Sequence, residues 1–209
     1  MNLIAVIGIA ACWGLLVLAW VAGAIYYEPQ APPERSRSWL GTAVVPGLVV
    51  TFAVAIAVPR ADWSSVALHP PWVRILGLVV LVTATAFALW ARLALGAMWS
   101  AVPAVKQEHK LRTSGPYGVT RHPIYTGMLG MLLGTALLAG GGRWIVAFPV
   151  YLVCLEVKIR VEERLMLAEF PADYPRYRRQ VPQLVPGLRL ARAAHAHDVP
   201  PQPEGTGNQ

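Results

Sequence analysis

The chain has 209 residues, of which 56% are hydrophobic and only 14% are charged, and its formal net charge is +7. About a quarter of the residues of a soluble domain are charged, so this composition excludes an ordinary soluble protein and predicts an integral membrane protein. The positive residues gather in a few segments, which is typical of cytoplasmic loops of membrane proteins and does not indicate a nucleic-acid surface.

Three apolar runs fill the N-terminal part of the chain. They are residues 3–27, 39–58 and 72–96. Each run is long enough to span a bilayer as a helix, and Pro46 within the second run can be accommodated as a kink. Arg74 and Arg92 lie near the two ends of the third run, from which both side chains could extend to the lipid headgroups. We predict that residues 1–96 form a three-helix membrane scaffold.

A polar segment, residues 97–123, follows the third run. It contains the turn signal Gly-Pro-Tyr-Gly at 115–118 and the triplet Arg-His-Pro at 121–123. Pro123 suits the first turn of a helix, because its missing N–H does no harm there. His122 would then lie at the helix N-terminus, where backbone N–H groups can bind an anion.

Two further apolar runs are separated by three glycines at 140–142, which predict a tight turn. The fourth covers residues 124–139, and the fifth is apolar from Trp144 to Leu155 and then becomes charged, with no helix breaker before Pro171. The fifth run therefore predicts a helix that starts in the bilayer and continues into the aqueous phase.

Three glycines of the fourth run, Gly127, Gly130 and Gly134, recur at helical spacing. For Gly130 and Gly134 we interpret this spacing as close packing of two membrane helices. Gly127 could also let a ligand approach the backbone.

The distribution of Lys and Arg predicts the orientation in the membrane. Most basic residues lie in the 97–123 segment and after residue 155, on the same side of the predicted hairpin, and this side should be cytoplasmic. Counting helices back places the N-terminus outside and the C-terminus inside. The frequent Ala, Arg, Trp and Pro favour a bacterial source, and hence the bacterial cytoplasmic membrane. Residues 191–209 lack periodicity and predict a disordered tail.

A second polar segment, residues 156–186, would lie on the same side as the first. Glu162 and Glu163 point about 100° apart on a helix, and Lys158 is spaced to pair with Glu162. An ordinary solvated helix explains these charges, but their position at the membrane boundary favours a functional site. Two histidines in the first polar segment, with no neighbouring Cys or third His, do not predict a metal centre.

Several motifs occur in a fixed order. They are His109-x-Leu111-x-Thr113-x-Gly115-Pro116-Tyr117, Arg121-His122-Pro123-x-Tyr125-x-Gly127, Glu162-Glu163, Phe170-x-x-x-Tyr174-x-x-Tyr177, and Val181-Pro182 with Pro186. This combination resembles the isoprenylcysteine carboxyl methyltransferase family and its phospholipid methyltransferase-like bacterial relatives. The resemblance covers residues 96–186 and departs at Pro171, where the family usually has Gly.

The resemblance implies an all-α polytopic membrane protein with about five transmembrane helices. It implies S-adenosylmethionine as cofactor, in a cytosolic pocket formed by the 97–123 loop and the 156–186 segment of a methyltransferase core at 97–190. The implied cofactor residues are His109, Leu111, Gly115, Tyr117, His122, Tyr125, Gly127, Glu162 and Glu163. The implied catalytic residues are Arg121, which could orient an anionic acceptor, and Glu163 and Tyr177, which could remove a proton from an amine.

The implied substrate is a lipophilic acceptor, either an isoprenylcysteine-type carboxylate or a lipid-like molecule, that enters from the bilayer. Two alternatives stay open at this stage. A membrane reductase of the sterol-reductase type would use NADPH instead, and a non-enzymatic membrane scaffold would bind neither cofactor. The Arg-His-Pro motif together with paired glutamates favours the methyl donor.

Overall fold

The computed structural model describes residues 3–27, 34–37, 44–57, 70–96, 104–106, 111–142 and 144–187. The helices in these residues are α1 (Leu3–Tyr27), α2 (Val44–Ala57), α3 (Pro71–Leu95), α4 (Pro116–Val119), α5 (Pro123–Leu138), α6 (Trp144–Glu169) and α7 (Asp173–Gln180). Two short strands, β1 (Glu34–Arg37) and β2 (Ala104–Lys106), complete the elements. The described part of the chain is therefore predominantly helical, as predicted.

The apolar runs became helices close to their predicted bounds. By length and composition, α1 and α3 could each cross a membrane, whereas α5 is a shorter apolar helix. Continuation of the fifth run into its charged half is confirmed, because α6 extends unbroken to Glu169 even with Pro149 inside it. A bundle of five spans, and the boundaries of the two predicted domains, stay predictions.

Close packing of α3 against α5 forms the centre of the fold. A Cβ atom on Gly134 would lie 2.6 Å from the backbone nitrogen of Leu81, and one on Gly130 would lie 2.7 Å from Cβ of Ala84. The predicted role of these two glycines in helix packing is confirmed. Gly127 lies on the same interface, where a Cβ would be 2.6 Å from that of Ala88.

Because of this packing, replacing a glycine at the α3–α5 interface should lower stability more than replacing a glycine elsewhere. We expect Gly134→Ala to destabilise the protein by about 1–3 kcal/mol, because the added methyl group would meet backbone atoms that cannot rotate away. Gly14→Ala on α1 is the matched control, since a Cβ there has nothing within 4 Å. Thermal unfolding in detergent checks both variants, and equal stabilities would contradict the proposed packing constraint.

A small antiparallel ladder joins two connections that the sequence placed in loops. Ser36 of β1 pairs with Val105 of β2, and Arg37 pairs with Ala104. Strands this short leave no readable alternation in the sequence, which is why they were not predicted. The ladder places the α1–α2 connection and the 97–123 segment at the same end of the bundle, as the predicted topology requires. The side of the membrane that this end faces stays a prediction.

The predicted extension of Arg92 to the lipid headgroups is wrong. Its residue is only 2% exposed, and its guanidinium lies over Gly23 of α1, where a Cβ would come within 2.1 Å of Nη2. Nη1 donates to the carbonyl of Gly96 at the end of α3. Gly23 therefore makes room for a buried cation between α1 and α3. Arg74, at the other end of α3, is exposed.

Candidate functional site

The Arg-His-Pro triplet forms the entry to α5. The four-residue helix α4 begins at Pro116 after Gly115, whose φ of 63° suits glycine. The chain then extends through Thr120, and His122 precedes α5, which begins at Pro123 as predicted. This short path places Arg121 and His122 between α4, of which Pro116 and Tyr117 are buried, and the first turn of α5.

A strap formed by residues 181–184 crosses this entry. The backbone N–H of Arg121 donates to the carbonyl of Pro182 at 2.8 Å, and that of His122 donates to the carbonyl of Gln183 at 3.2 Å. The hydroxyl of Thr126 donates to the carbonyl of Leu184 at 2.6 Å. Strap carbonyls therefore take the N–H groups of Arg121 and His122, and anion binding by the helix N-terminus beside them stays a prediction.

Two adjacent glutamates of α6 converge on one imidazole. Nδ1 of His122 lies 3.5 Å from Oε2 of Glu162, and Nε2 lies 3.5 Å from Oε1 of Glu163. The ring of Tyr125 stacks on His122 with centroids 5.7 Å apart. Adjacent side chains on a helix point in different directions, which leaves a space between the Glu162 and Glu163 carboxylates. The imidazole of His122 fills this space.

Glu162 has two further partners inside the protein. The hydroxyl of Tyr125 donates to Oε1 at 2.6 Å, and Nζ of Lys158 lies 3.3 Å from the same oxygen. The predicted pairing of Lys158 with Glu162 is thus confirmed. Lys158 is only 3% exposed, so the alternative of an ordinary solvated helix is wrong for this stretch. The Glu162 side chain is 23% exposed and remains accessible at the edge of the cluster.

The guanidinium of Arg121 makes its hydrogen bonds within the protein. Its Nε and Nη2 donate to Oε1 of Glu163 at 3.0 and 2.7 Å, and its Nη1 donates to the carbonyls of Arg178 and Val181 at 3.3 and 2.6 Å. The guanidinium thereby ties α6 to the end of α7. The predicted catalytic role of Arg121 stays a prediction, and this geometry favours a positioning role.

Tyr177 connects α7 to α4. Its hydroxyl donates to the backbone carbonyl of Tyr117 at 2.6 Å, and the Tyr117 hydroxyl contacts the carbonyl of Ala91 in α3 at 3.4 Å. Tyr174 and Tyr177 are buried rather than exposed as interfacial anchors. With Val181 they form a small core, against which four side chains pack: Leu111, Met166, Leu167 and Phe170. A catalytic role of Tyr177 stays a prediction.

The surroundings of the site change the pKa values of its titratable groups in directions that do not suit a general base. Burial opposes ionisation of Glu163, but His122 and Arg121 outweigh it and lower the pKa of this carboxyl to about 2. The pKa of Glu162 is lowered in the same way, against burial, by His122 and Lys158. Burial disfavours the imidazolium, yet the two carboxylates raise the pKa of His122 above its ordinary value. Burial raises the pKa of Tyr177 despite the nearby Arg121.

The structure gathers most, but not all, of the predicted site residues. Tyr117, Arg121, His122, Tyr125, Glu162, Glu163 and Tyr177 are linked by the contacts above. Leu111 packs beneath α7, Gly115 is exposed before α4, and Gly127 faces α3. His109 lies outside the described residues. Within the described residues, no cluster of three or more His, Cys, Asp or Glu side chains could hold a metal ion.

Sequence reasoning missed two contributions. Arg178 was not singled out, although its Nε lies 3.7 Å from Oε2 of Glu163, and the backbone contacts of the strap were not predicted. Gln183 of the strap also reaches α6, where its Nε2 donates to Oε2 of Glu156 at 3.2 Å. Pro182 was the sign in the sequence that this segment is not helical.

Comparisons with known proteins agree on one family. The phospholipid methyltransferase family model matches residues 72–173. The cobalt-zinc-cadmium resistance protein CzcN of Cupriavidus metallidurans is 30% identical over 150 residues, which cover 69% of this chain and 63% of that protein. Methanethiol S-methyltransferase 2 of Bradyrhizobium diazoefficiens is 39% identical over 95 residues, covering 45% of this chain and 35% of that protein.

A eukaryotic relative and a solved structure extend the comparison. Protein-S-isoprenylcysteine O-methyltransferase of Schizosaccharomyces pombe is 33% identical over 81 residues, covering 38% of this chain and 34% of that protein. The structure of the eukaryotic intramembrane Ras methyltransferase, isoprenylcysteine carboxyl methyltransferase, matches with a TM-score of 0.53 and 24% identity, over 69% of this chain and 51% of that one.

These matches share a region rather than whole proteins. The chain spans between 34% and 63% of the length of the curated relatives it matches. The region that the family model matches, residues 72–173, contains the Arg-His-Pro entry and the paired glutamates. The chain is thus similar to the phospholipid methyltransferase family and to methyltransferases of methanethiol and of isoprenylcysteine proteins.

Proposed function

We propose that the chain is an S-adenosylmethionine-dependent methyltransferase of the membrane that acts on a lipophilic acceptor with an anionic nucleophile. The observation that carries this proposal is the convergence of Glu162 and Glu163 on His122, where α6 continues beyond its apolar half. S-adenosylmethionine would supply a methyl group activated by a sulfonium. The protein's contribution is then positioning and electrostatics, as is typical of group transfer without covalent intermediates.

The residues at the site fit such a cofactor. Nε2 of His122 is buried and makes no hydrogen bond within the described residues, although a buried polar atom normally has a partner. Glu162 presents a carboxylate at the accessible edge of the same cluster. A carboxylate and an imidazole nitrogen are suitable partners for ribose hydroxyls or an ammonium group. Glu163 is enclosed, so we assign it to holding Arg121 and His122 in place.

The charges around the site favour an acceptor that is already an anion. Three basic side chains, Arg121, Lys158 and Arg178, lie within 4 Å of the two carboxylates, so basic groups outnumber acidic ones even without His122. With a pKa of about 2, Glu163 is a poor base, and Tyr177 donates its proton to a backbone carbonyl. Removal of a proton from an amine acceptor therefore lacks a suitable group among these residues.

A carboxylate or a thiolate meets this requirement, because either can attack a methyl group without losing a proton. The names of the relatives include an O-methyltransferase of isoprenylcysteine proteins and an S-methyltransferase of methanethiol. We favour the carboxylate, since it is ionised throughout the physiological pH range. The exposed apolar faces of α1 and α3 suit contact with membrane lipid, from which a lipophilic acceptor such as a prenylated molecule would enter.

Calorimetry on the detergent-purified protein tests the proposal. We expect S-adenosylmethionine to bind, and Glu162→Ala and His122→Ala to weaken this binding at least about tenfold, which corresponds to one or two lost hydrogen bonds to charged groups. Arg160→Gln is the control, because Arg160 is exposed and pairs only with Glu156 among the contacts above. Binding of NADPH in place of S-adenosylmethionine, or of neither by folded protein, would refute the proposed activity.

A further inference from the structure

The outward face of α6 changes from apolar to basic within one turn. Val153 and Val157 are exposed on this face, and Arg160 and Arg164 follow on it at helical spacing. Exposed apolar side chains of a membrane helix face lipid tails, whereas arginines at its end reach the headgroups. From this change we expect the edge of the hydrocarbon layer to lie between Val157 and Arg160.

Helix α7 lies just beyond this edge. Nε of Arg178 is 3.7 Å from Oε2 of Glu163, and Glu163 is six residues past Val157, which is about 9 Å along the helix axis. The headgroup region of one leaflet is roughly 5–8 Å thick. The ion pair thus holds α7 at the outer limit of the headgroups, within reach of arginine side chains.

Four exposed arginines from three segments surround α7 at this level, and we call them the basic collar. They are Arg112, Arg164, Arg176 and Arg179. The last two are three residues apart, on the side of α7 opposite its buried tyrosines. Arg112 follows Leu111, which packs against those tyrosines, and Arg164 follows the Glu163 that pairs with α7.

Within the described residues, positive charge exceeds negative charge around the collar. Asp173 at the start of α7 and Glu169 at the end of α6 offset two of the four positive charges. Arg160 is left out because Glu156 pairs with it at 2.9 Å. A surface with this excess of exposed cations, held at headgroup depth, complements the phosphates of anionic lipids.

We propose that the basic collar binds anionic lipid headgroups and thereby holds α7 against the membrane surface. Since α7 connects to α4 through Tyr177 and to α6 through Arg178, lipid bound here would steady the elements around the candidate site. The proposal does not depend on methyl transfer. Each arginine near an anionic surface should strengthen lipid binding by about fivefold.

Native mass spectrometry of the purified protein in mixed phosphatidylglycerol and phosphatidylcholine tests the collar. The wild type should retain phosphatidylglycerol at least about tenfold more than phosphatidylcholine, and the preference should fall as salt is raised. Replacing all four collar arginines by Gln should bring the ratio close to one. Arg74→Gln, at the opposite end of α3, should keep the wild-type ratio.

Other outcomes would overturn the proposal. An unchanged preference in the quadruple variant, or no preference in the wild type, means that the collar does not bind these lipids. Stronger competition by inorganic phosphate than by chloride at equal ionic strength would identify a site for a free anion instead. If the quadruple variant does not fold, Arg176→Gln and Arg179→Gln, both on the outer face of α7, should each lower the ratio part of the way.

Discussion

Glu163→Gln should abolish most of the methyl transfer and unfold the protein at a lower temperature. The substitution keeps the shape of the side chain but leaves the guanidinium of Arg121 buried without its carboxylate, which typically costs about 3–5 kcal/mol. The same change releases His122 and the end of α7, and misplacement of this kind can reduce turnover about 100-fold. Thermal unfolding and initial rates in the same detergent would measure both effects.

Two control variants test whether the effect comes from the buried Arg121–Glu163 pair and not simply from the loss of a charge. Arg160→Gln breaks an exposed pair on the same helix and should change stability by no more than about 1 kcal/mol. The double variant Arg121→Met with Glu163→Gln removes both buried charges, so it should recover part of the lost stability without recovering turnover. If the single Glu163→Gln variant retains wild-type stability and rate, the assignment of this pair as the anchor of the site is wrong.

S-adenosylmethionine should bind more tightly as the pH rises above 6.5, by up to about tenfold per pH unit. The two carboxylates raise the pKa of His122, so the imidazole stays protonated above its ordinary range. A proton on His122 and the positive groups of the cofactor compete for the same carboxylates, so binding should expel the proton. The titratable groups that contact His122 are Tyr125, Glu162 and Glu163, and the cations against these two carboxylates are Arg121, Lys158 and Arg178.

The sign of the pH effect follows from the pKa shifts. The stabilising contribution of His122 is complete below its unfolded pKa of about 6.5 and is lost as the pH rises through its higher folded pKa. Glu163 behaves oppositely, because its contribution is present above pH 4.5 and is lost as the pH falls towards 2. His122 is thus the group that titrates in the window above pH 6.5.

Calorimetry in buffers of different ionisation enthalpy would count the released protons directly. About one proton should leave per cofactor bound at a pH well below the raised pKa, falling to about half a proton at that pKa, and His122→Gln should remove both the proton release and the pH slope. S-adenosylhomocysteine lacks the sulfonium charge and should show a weaker slope. A wild-type affinity that does not change with pH would show that His122 is not linked to the cofactor.

The sequence was sufficient for the features that depend on local rules. Pro123 predicted the start of α5, the unbroken charged continuation predicted the length of α6, and the ordered motifs predicted the family to which the chain is similar. These features need only proline chemistry, periodicity and motif order. Gly130 and Gly134 were also interpretable, because close packing of membrane helices needs small residues at that spacing.

Features that depend on distant parts of the chain could not be predicted. Whether Lys158 and Arg92 face water or the interior depends on which helices pack beside them, and hydropathy does not reveal this. Arg121 was expected to face a substrate, but its donors are taken by a carboxylate 42 residues away and by carbonyls about 60 residues away.

The strap also sets the order in which the site can be completed during synthesis. Its carbonyls fix Arg121, His122 and Thr126, yet residues 181–184 leave the ribosome after all seven described helices. A nascent chain can therefore insert its apolar helices while the entry to α5 still lacks its last partners. Premature release of a chain that stops before Val181 would give a membrane-embedded but unfinished protein, so the strap makes the site depend on completed translation.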